Sequence, residues 1–187
     1  MKKICSLLLI FILAVTILQV KAQKGEKFGI RAGYQSSAWY KGGSQLPGTD
    51  PLSNFYVGVF KDNKILPAIH FGIGLEYFQN GYKINSNDKR VLHMLSIPVY
   101  AKVKIGPVFG LAGFGANFNV SEKIFTNDVA SSPSSDQKSK TVDFPFLIGA
   151  GVKFSIFTIE ARYHWGLVDI NEGYSNQYFQ IGGAISF

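Results

Sequence analysis

The residues that chemistry would draw on first in this 187-residue chain are three histidines, one cysteine and a thin set of carboxylates. His93 follows Asp88, and His164 precedes Asp169 and Glu172. These are the types a hydrolase or acyltransferase needs when a histidine activates a nearby hydroxyl, but neither spacing demands such a site. Interior hydrogen bonding is the ordinary role for His70 and His164. The histidines fall on three different strand patterns with no paired-ligand spacing, so no metal centre is expected. Gly110, Gly113 and Gly115 superficially mimic a phosphate loop, yet they lie in a strand pattern with no helix to follow. Small residues easing a crowded wall explain them better. The residues thus predict no catalytic group, no metal ligand and no cofactor.

Cys5 sits in a leader. Lys2 and Lys3 supply a positive start, Ile4 to Val20 is nearly all apolar, and Val20-Lys21-Ala22 offers a cut ahead of Gln23. Residues 1–22 therefore read as a signal peptide helix, and 23–187 as one mature domain. Gln19 and Lys21 end the apolar run short of a comfortable bilayer span, against an uncleaved anchor. Cys5 precedes the apolar run instead of following it, against a lipid anchor. Cleavage leaves the mature chain without a thiol. It also lowers the formal charge of +7 by three, to +4, as Lys2, Lys3 and Lys21 leave. The remaining basic residues are scattered, so no nucleic-acid partner is expected.

What must position any site is a set of strands. Beyond Gln23 no window sustains apolar recurrence at three and four residues, whereas alternation with period two recurs. It predicts strands over roughly 28–37, 54–61, 69–79, 91–105, 107–119, 144–154, 157–166 and 178–187. Phe28, Ile30, Ala32 and Tyr34 alternate with Gly29, Arg31, Gly33 and Gln35. Phe71, Ile73, Leu75 and Tyr77 alternate with His70, Gly72, Gly74 and Glu76, and strands four and seven repeat the pattern. The registers of strands two and five stay open, because Phe55 to Phe60 is apolar on both faces and Val108 to Phe118 mixes glycine with apolar residues.

Connections after strands one, three, five and seven read as long and polar, and those after two, four and six as short. This sorting is expected of a membrane barrel with tight periplasmic turns. The polar faces are too sparse for a solvated exterior, which inverts the usual arrangement. Lipid would meet Phe28, Ile30, Phe71, Ile73, Ile97, Val99, Ile159 and Ile185. Tyr34, Tyr77, Tyr163, Trp165 and Phe187 would form girdles near the strand ends. The fold expected is all-β: an eight-stranded antiparallel up-and-down transmembrane barrel in the outer membrane of a Gram-negative-type cell. Its interior would hold a polar network of Arg31, Glu76, Lys102, Glu160 and Arg162, with Arg31, Lys102, Glu160 and Arg162 sharing one layer. A barrel of this size is only wide enough for side chains to fill it, so no open channel is expected. The inward Arg31, Lys102 and Arg162 also argue against the greasy cavity of a soluble lipocalin-type barrel.

Gly29-Ile30-Arg31-Ala32-Gly33, Leu95-Ser96-Ile97-Pro98-Val99-Tyr100-Ala101-Lys102 and Ala161-Arg162-Tyr163-His164-Trp165-Gly166-Leu167-Val168-Asp169-Ile170 resemble stretches of the PorT-like outer-membrane β-barrel proteins of Bacteroidetes. Phe187 resembles the end signal that barrel-assembly machinery recognises. The resemblance spans most of the mature chain and implies a barrel and a location, with one named family member implicated in protein secretion. Function is expected to be structural or interactive, possible accessory work in secretion included, in a monomer seated in outer-membrane lipid. The long loops, Val120 to Val142 and the stretch around Trp39-Tyr40, are where an envelope protein partner would bind, with a girdle role at the membrane boundary an equal reading of Trp39 and Tyr40. The alternative is an outer-membrane hydrolase or acyltransferase with its site at the external mouth.

Overall fold

Period-two alternation becomes eight long strands in the computed structural model, which describes residues 26–135 and 138–187. The expected leader and its cut lie outside the described residues. The strands are β1 (Glu26–Lys41), β2 (Asp50–Lys64), β3 (Ile69–Lys83), β4 (Lys89–Ile105), β5 (Val108–Thr126), β6 (Pro145–Phe154), β7 (Phe157–Asn171) and β8 (Tyr174–Ser186). Each pairs antiparallel with the next, and β8 returns to β1, with Gly29 opposite Ser186 and Tyr40 opposite Ser175. The ring is closed, so no strand edge is left to face hydrocarbon. Short pieces at 44–45, 129–131 and 142–143 pair with β1 and β5 outside the ring.

One end of the barrel carries the tight links 65–68, 106–107 and 155–156, which makes it the periplasmic end. At the other end the strands run further than the alternation predicts: β1 reaches Lys41, β3 Lys83, β5 Thr126 and β7 Asn171. Outside the bilayer both faces of a ribbon meet water or polar partners, so the apolar signal fades while the backbone ladder continues. The expected long loop after the seventh strand is absent for this reason. β7 and β8 turn at Glu172 and Gly173 alone, with φ of 47° and 81°. A two-residue hairpin of this hand needs positive φ at both positions.

Side-chain direction follows the pleat. Ile30, Ile73, Ile97 and Ile159 are exposed on the outer wall, as are Leu75 and Ile181. Tyr34, Tyr77, Tyr163 and Trp165 lie toward the external strand ends, where Tyr163 and Trp165 contact at 4.4 Å between ring centroids. The open registers are settled as well. Phe55, Val57 and Val59 point out and Tyr56, Phe60 and Asp62 in; Phe114 and Phe118 point out and Phe109, Leu111 and Asn117 in. Inward glycines make room for inward rings on neighbouring strands. A Cβ on Gly72 would meet the Tyr100 ring at 2.1 Å, and one on Gly33 would meet the Tyr56 ring at 2.8 Å. This is why the second face of each strand reads as small or charged.

A basic side chain on this outer wall near mid-depth is expected to cost about 2–4 kcal/mol. Leu75→Arg should therefore lower the urea midpoint of the barrel folded in lipid vesicles by that order. Leu75→Val should leave it within a few tenths of a kcal/mol of the lost area term; an unchanged midpoint for the arginine variant would contradict an outward, lipid-facing Leu75.

Candidate functional site

Pleat and closure together bring inward residues of β1, β3 and β7 to one level of the lumen. Arg31 Nη1 donates to Glu160 Oε1 at 3.1 Å and lies 3.5 Å from Glu76 Oε1. Arg162 grips Glu76 with both terminal nitrogens, at 2.7 and 3.2 Å, while its Nε lies 3.5 Å from Glu160. All four side chains are at most 3% exposed. The forked guanidinium suits this bidentate, alternating arrangement better than an ammonium would. Phe60 covers the Arg31 guanidinium at 4.1 Å and Tyr56 faces that of Arg162 at 5.1 Å, so aromatic rings complete the packing.

Lys102 stands apart from the expected single layer. It pairs instead with Asp62 of β2 at 2.5 Å, one step closer to the periplasm. Tyr100 joins the two levels: its hydroxyl accepts from Arg31 Nη2 at 2.7 Å and donates to Asp62 Oδ1 at 2.9 Å. Asp62 was invisible in the sequence because its strand was expected to stop at 61 with its register open. Tyr100 already shared an alternation face with Lys102.

Above the charges comes a layer of amides. Gln35 Nε2 donates to Asn80 Oδ1 at 2.6 Å, and Gln180 Nε2 donates to Gln35 Oε1 at 2.7 Å, all three residues wholly buried. An aromatic and aliphatic plug of Trp39, Phe78, Leu92, Met94, Ile170 and Tyr178 follows. Trp39 is thus interior and buried, correcting the expectation that it lines an exposed loop. The external mouth is capped by Arg90 on Glu122 at 2.5 Å, with Ser139 donating to Glu122 through its hydroxyl at 2.9 Å and its backbone at 3.0 Å. The return of the loop after β5 therefore packs at Ser139. Arg90 also covers Trp39 at 4.9 Å.

A closed antiparallel ring with an apolar outer wall and paired charges in its lumen is the architecture of a membrane barrel, and sequence comparison agrees. The family described as "Outer membrane protein beta-barrel domain" matches residues 18–172. The chain belongs to that family. Among solved structures this outer-membrane barrel is similar to Neisserial surface protein A (NspA), with TM-score 0.54, 13% identity, 85% of this chain and 95% of that chain covered. It is also similar to Ail, the attachment invasion locus protein of Yersinia pestis, solved in complex with the heparin analogue sucrose octasulfate, with TM-score 0.51, 15% identity and coverage of 87% and 99%. At such identities the likeness is one of fold. No curated protein matches the chain.

Within the outer-membrane barrel, the histidine pairings considered for catalysis come apart. His93 lies on the outer wall and hydrogen-bonds Tyr77 Oη at 2.7 Å, while Asp88 binds Asn85 and the Asn127 backbone in the loop. Those two contacts hold the Asp88 carboxyl below its usual range, the Asn127 backbone first. His164 is inside, stacked on Tyr178 at 4.2 Å and 14°, beside Gln180. Asp169 and Glu172 are exposed on the external ribbon.

Removing one member of a buried ion pair leaves the others uncompensated, at about 3–5 kcal/mol. Glu76→Ala should therefore lower the urea midpoint in detergent by that order. Combined replacement of Glu76 and Arg162 by methionine should recover part of the loss, giving a coupling energy above about 1 kcal/mol; strict additivity would contradict the pairing. The lumen layers fill the cross-section, so planar-bilayer recordings of the wild type should show no steady unitary conductance.

Proposed function

We propose that this chain is a PorT-like, non-catalytic barrel, monomeric in the outer membrane. Barrel-assembly machinery would insert it, and it would serve a structural or interaction role in the envelope, accessory to envelope assembly or protein secretion. What supports the reading most is the division of labour along the barrel axis. Between the mouths the lumen charges are paired from Lys102 up to Arg90, while the external ribbons and the 127–144 loop carry extensive exposed surface. A solute path or a reaction site would draw on inward charges, and here Arg31, Arg162, Lys102 and Arg90 are each engaged with a carboxylate. The external ribbons, rigid because their backbone ladders continue past the bilayer, present Val129, Asn127 and Leu167 to the outside. A protein partner docking there meets a preformed surface and loses little conformational freedom.

A photoreactive residue at Val129 is expected to capture one discrete envelope protein in intact cells, with the same probe at Ile65 on the periplasmic turn capturing a different set. Purified barrel should also run as a heat-modifiable monomer. Turnover of phospholipid or peptide by the purified protein that falls when His93 is replaced by alanine would instead establish the outer-membrane enzyme and end this reading.

A further inference from the structure

Among the described residues, basic charge in the lumen is matched by carboxylates at every level but one, and the buried Asp143 carboxyl beside Asn117 is the one lumen acid without an ion pair. Arg31 and Arg162 are offset by Glu76 and Glu160, Lys102 by Asp62, and Arg90 by Glu122. At the periplasmic mouth the balance fails. Lys27 of β1, Lys64 of β2, Lys104 of β4 and Lys153 of β6 line one cavity together with His70 of β3, and its inner end is formed by Lys102, Asp62 and Glu160, whose charges are paired with one another and with Arg31. Among the described residues no ion pair joins Lys27, Lys64, Lys104 or Lys153 to a carboxylate, and Lys153 Nζ donates to Ser186 Oγ instead. They stand within electrostatic reach of one another: Lys27, Lys64 and Lys102 act on Lys104, and Lys27, Lys102 and Lys104 act on Lys153, with Asp62 the carboxylate that reaches both Lys104 and Lys153. The Nδ1 atom of His70 is out of contact with solvent and has no hydrogen-bond partner.

Ammonium groups scattered over a surface need no partner, because water screens them. Here the half-buried Lys104 and Lys153, with the exposed Lys27 and Lys64 at the rim, converge from four strands on a partly enclosed space of about 110 Å³ walled by Phe60 and Phe109. Low-dielectric walls concentrate a positive field in such a cleft. Each lysine offers three donors and no acceptor, so the complement is a compact oxygen-rich anion able to accept from several lysines at once. The space is small and partly open, which suits a single compact oxyanion such as a phosphate group. A halide brings one charge where a phosphate brings up to about two, and it has no separate oxygens for different lysines to grip.

We propose that the periplasmic mouth is a phosphate-group site, in which Lys27, Lys64, Lys104 and Lys153 hold one multiply charged oxyanion beneath the Asp62–Lys102 pair. The chemistry is the same for free phosphate and for a phospholipid headgroup phosphate of the inner leaflet, which borders this end of the barrel. Occupancy offsets the excess positive charge of the periplasmic mouth and ties four strands together beside their turns. The inference depends on the barrel alone and stands whether or not an envelope partner binds outside.

The test uses full-length barrel folded in a phosphate-free, non-ionic detergent. Inorganic phosphate titrated at constant ionic strength should bind saturably at one site by calorimetry and raise the unfolding midpoint, where chloride does neither. Lys64→Gln with Lys104→Gln should weaken phosphate binding about tenfold or more, since each charge-assisted hydrogen bond to an ion carries over 1 kcal/mol. Lys64→Arg with Lys104→Arg should restore it, and Lys89→Gln at the opposite end should change nothing. Native mass spectrometry from nanodiscs identifies the source: retained phosphatidic acid that inorganic phosphate displaces marks the headgroup, and its absence marks the free ion. A response that follows ionic strength alone, or glutamine variants that bind phosphate as the wild type does, would overturn the proposal.

Discussion

A guanidinium or carboxylate within the hydrocarbon thickness persists only where another protein group neutralises it, and Arg162 meets that condition on Glu76 at 2.7 Å. The pairing is possible because β3 and β7 stand on different sides of a closed ring, so their inward side chains reach each other across the lumen. Closure and ion pairing therefore support one another. Without the ring the charges would face lipid, and without the charges the inner wall would hold unmatched polar groups around a water-sized space.

From that constraint the stacking of the lumen follows. Charges sit lowest, joined by Tyr100 to the Asp62–Lys102 pair; amides come next, then aromatic and aliphatic bulk, then Arg90 and Glu122 under Ser139. Inward glycines such as Gly72 and Gly33 matter as much as the large groups, because they give Tyr100 and Tyr56 the room to lie flat against the neighbouring strand. The interior is a core in the ordinary sense of filled space, with ionic and amide pairs replacing much of the grease. Surface available to other molecules is thereby displaced to the two ends.

The two ends differ in kind. The external ribbons continue the ladder for several residues beyond the apolar wall and carry the 127–144 loop, whose return segment donates from Lys140 to the Ile170 carbonyl at 2.8 Å and lies across the mouth. The periplasmic end has short turns, a basic lining and, among the described residues, no such cover. A barrel that is filled between its mouths acts through its rims.

Period-two alternation was enough to read eight strands, their order and the inward placement of Arg31, Glu76, Glu160 and Arg162, because a pleat forces every second side chain to the same face. It was enough, too, to place Ile73 and Ile159 against lipid. It was silent wherever both faces share one polarity: Phe55 to Phe60 is apolar on both, so the register of β2 and the role of Asp62 had no signature, and the external ribbons are polar on both, so their length was hidden. Which inward charge meets which is decided by stagger around the closed ring, a property of no single strand. That is why the sequence by itself determined a greasy wall around a charged interior, while only the tertiary structure decided that Lys102 belongs to Asp62, that Trp39 is a plug, and that four lysines share one mouth.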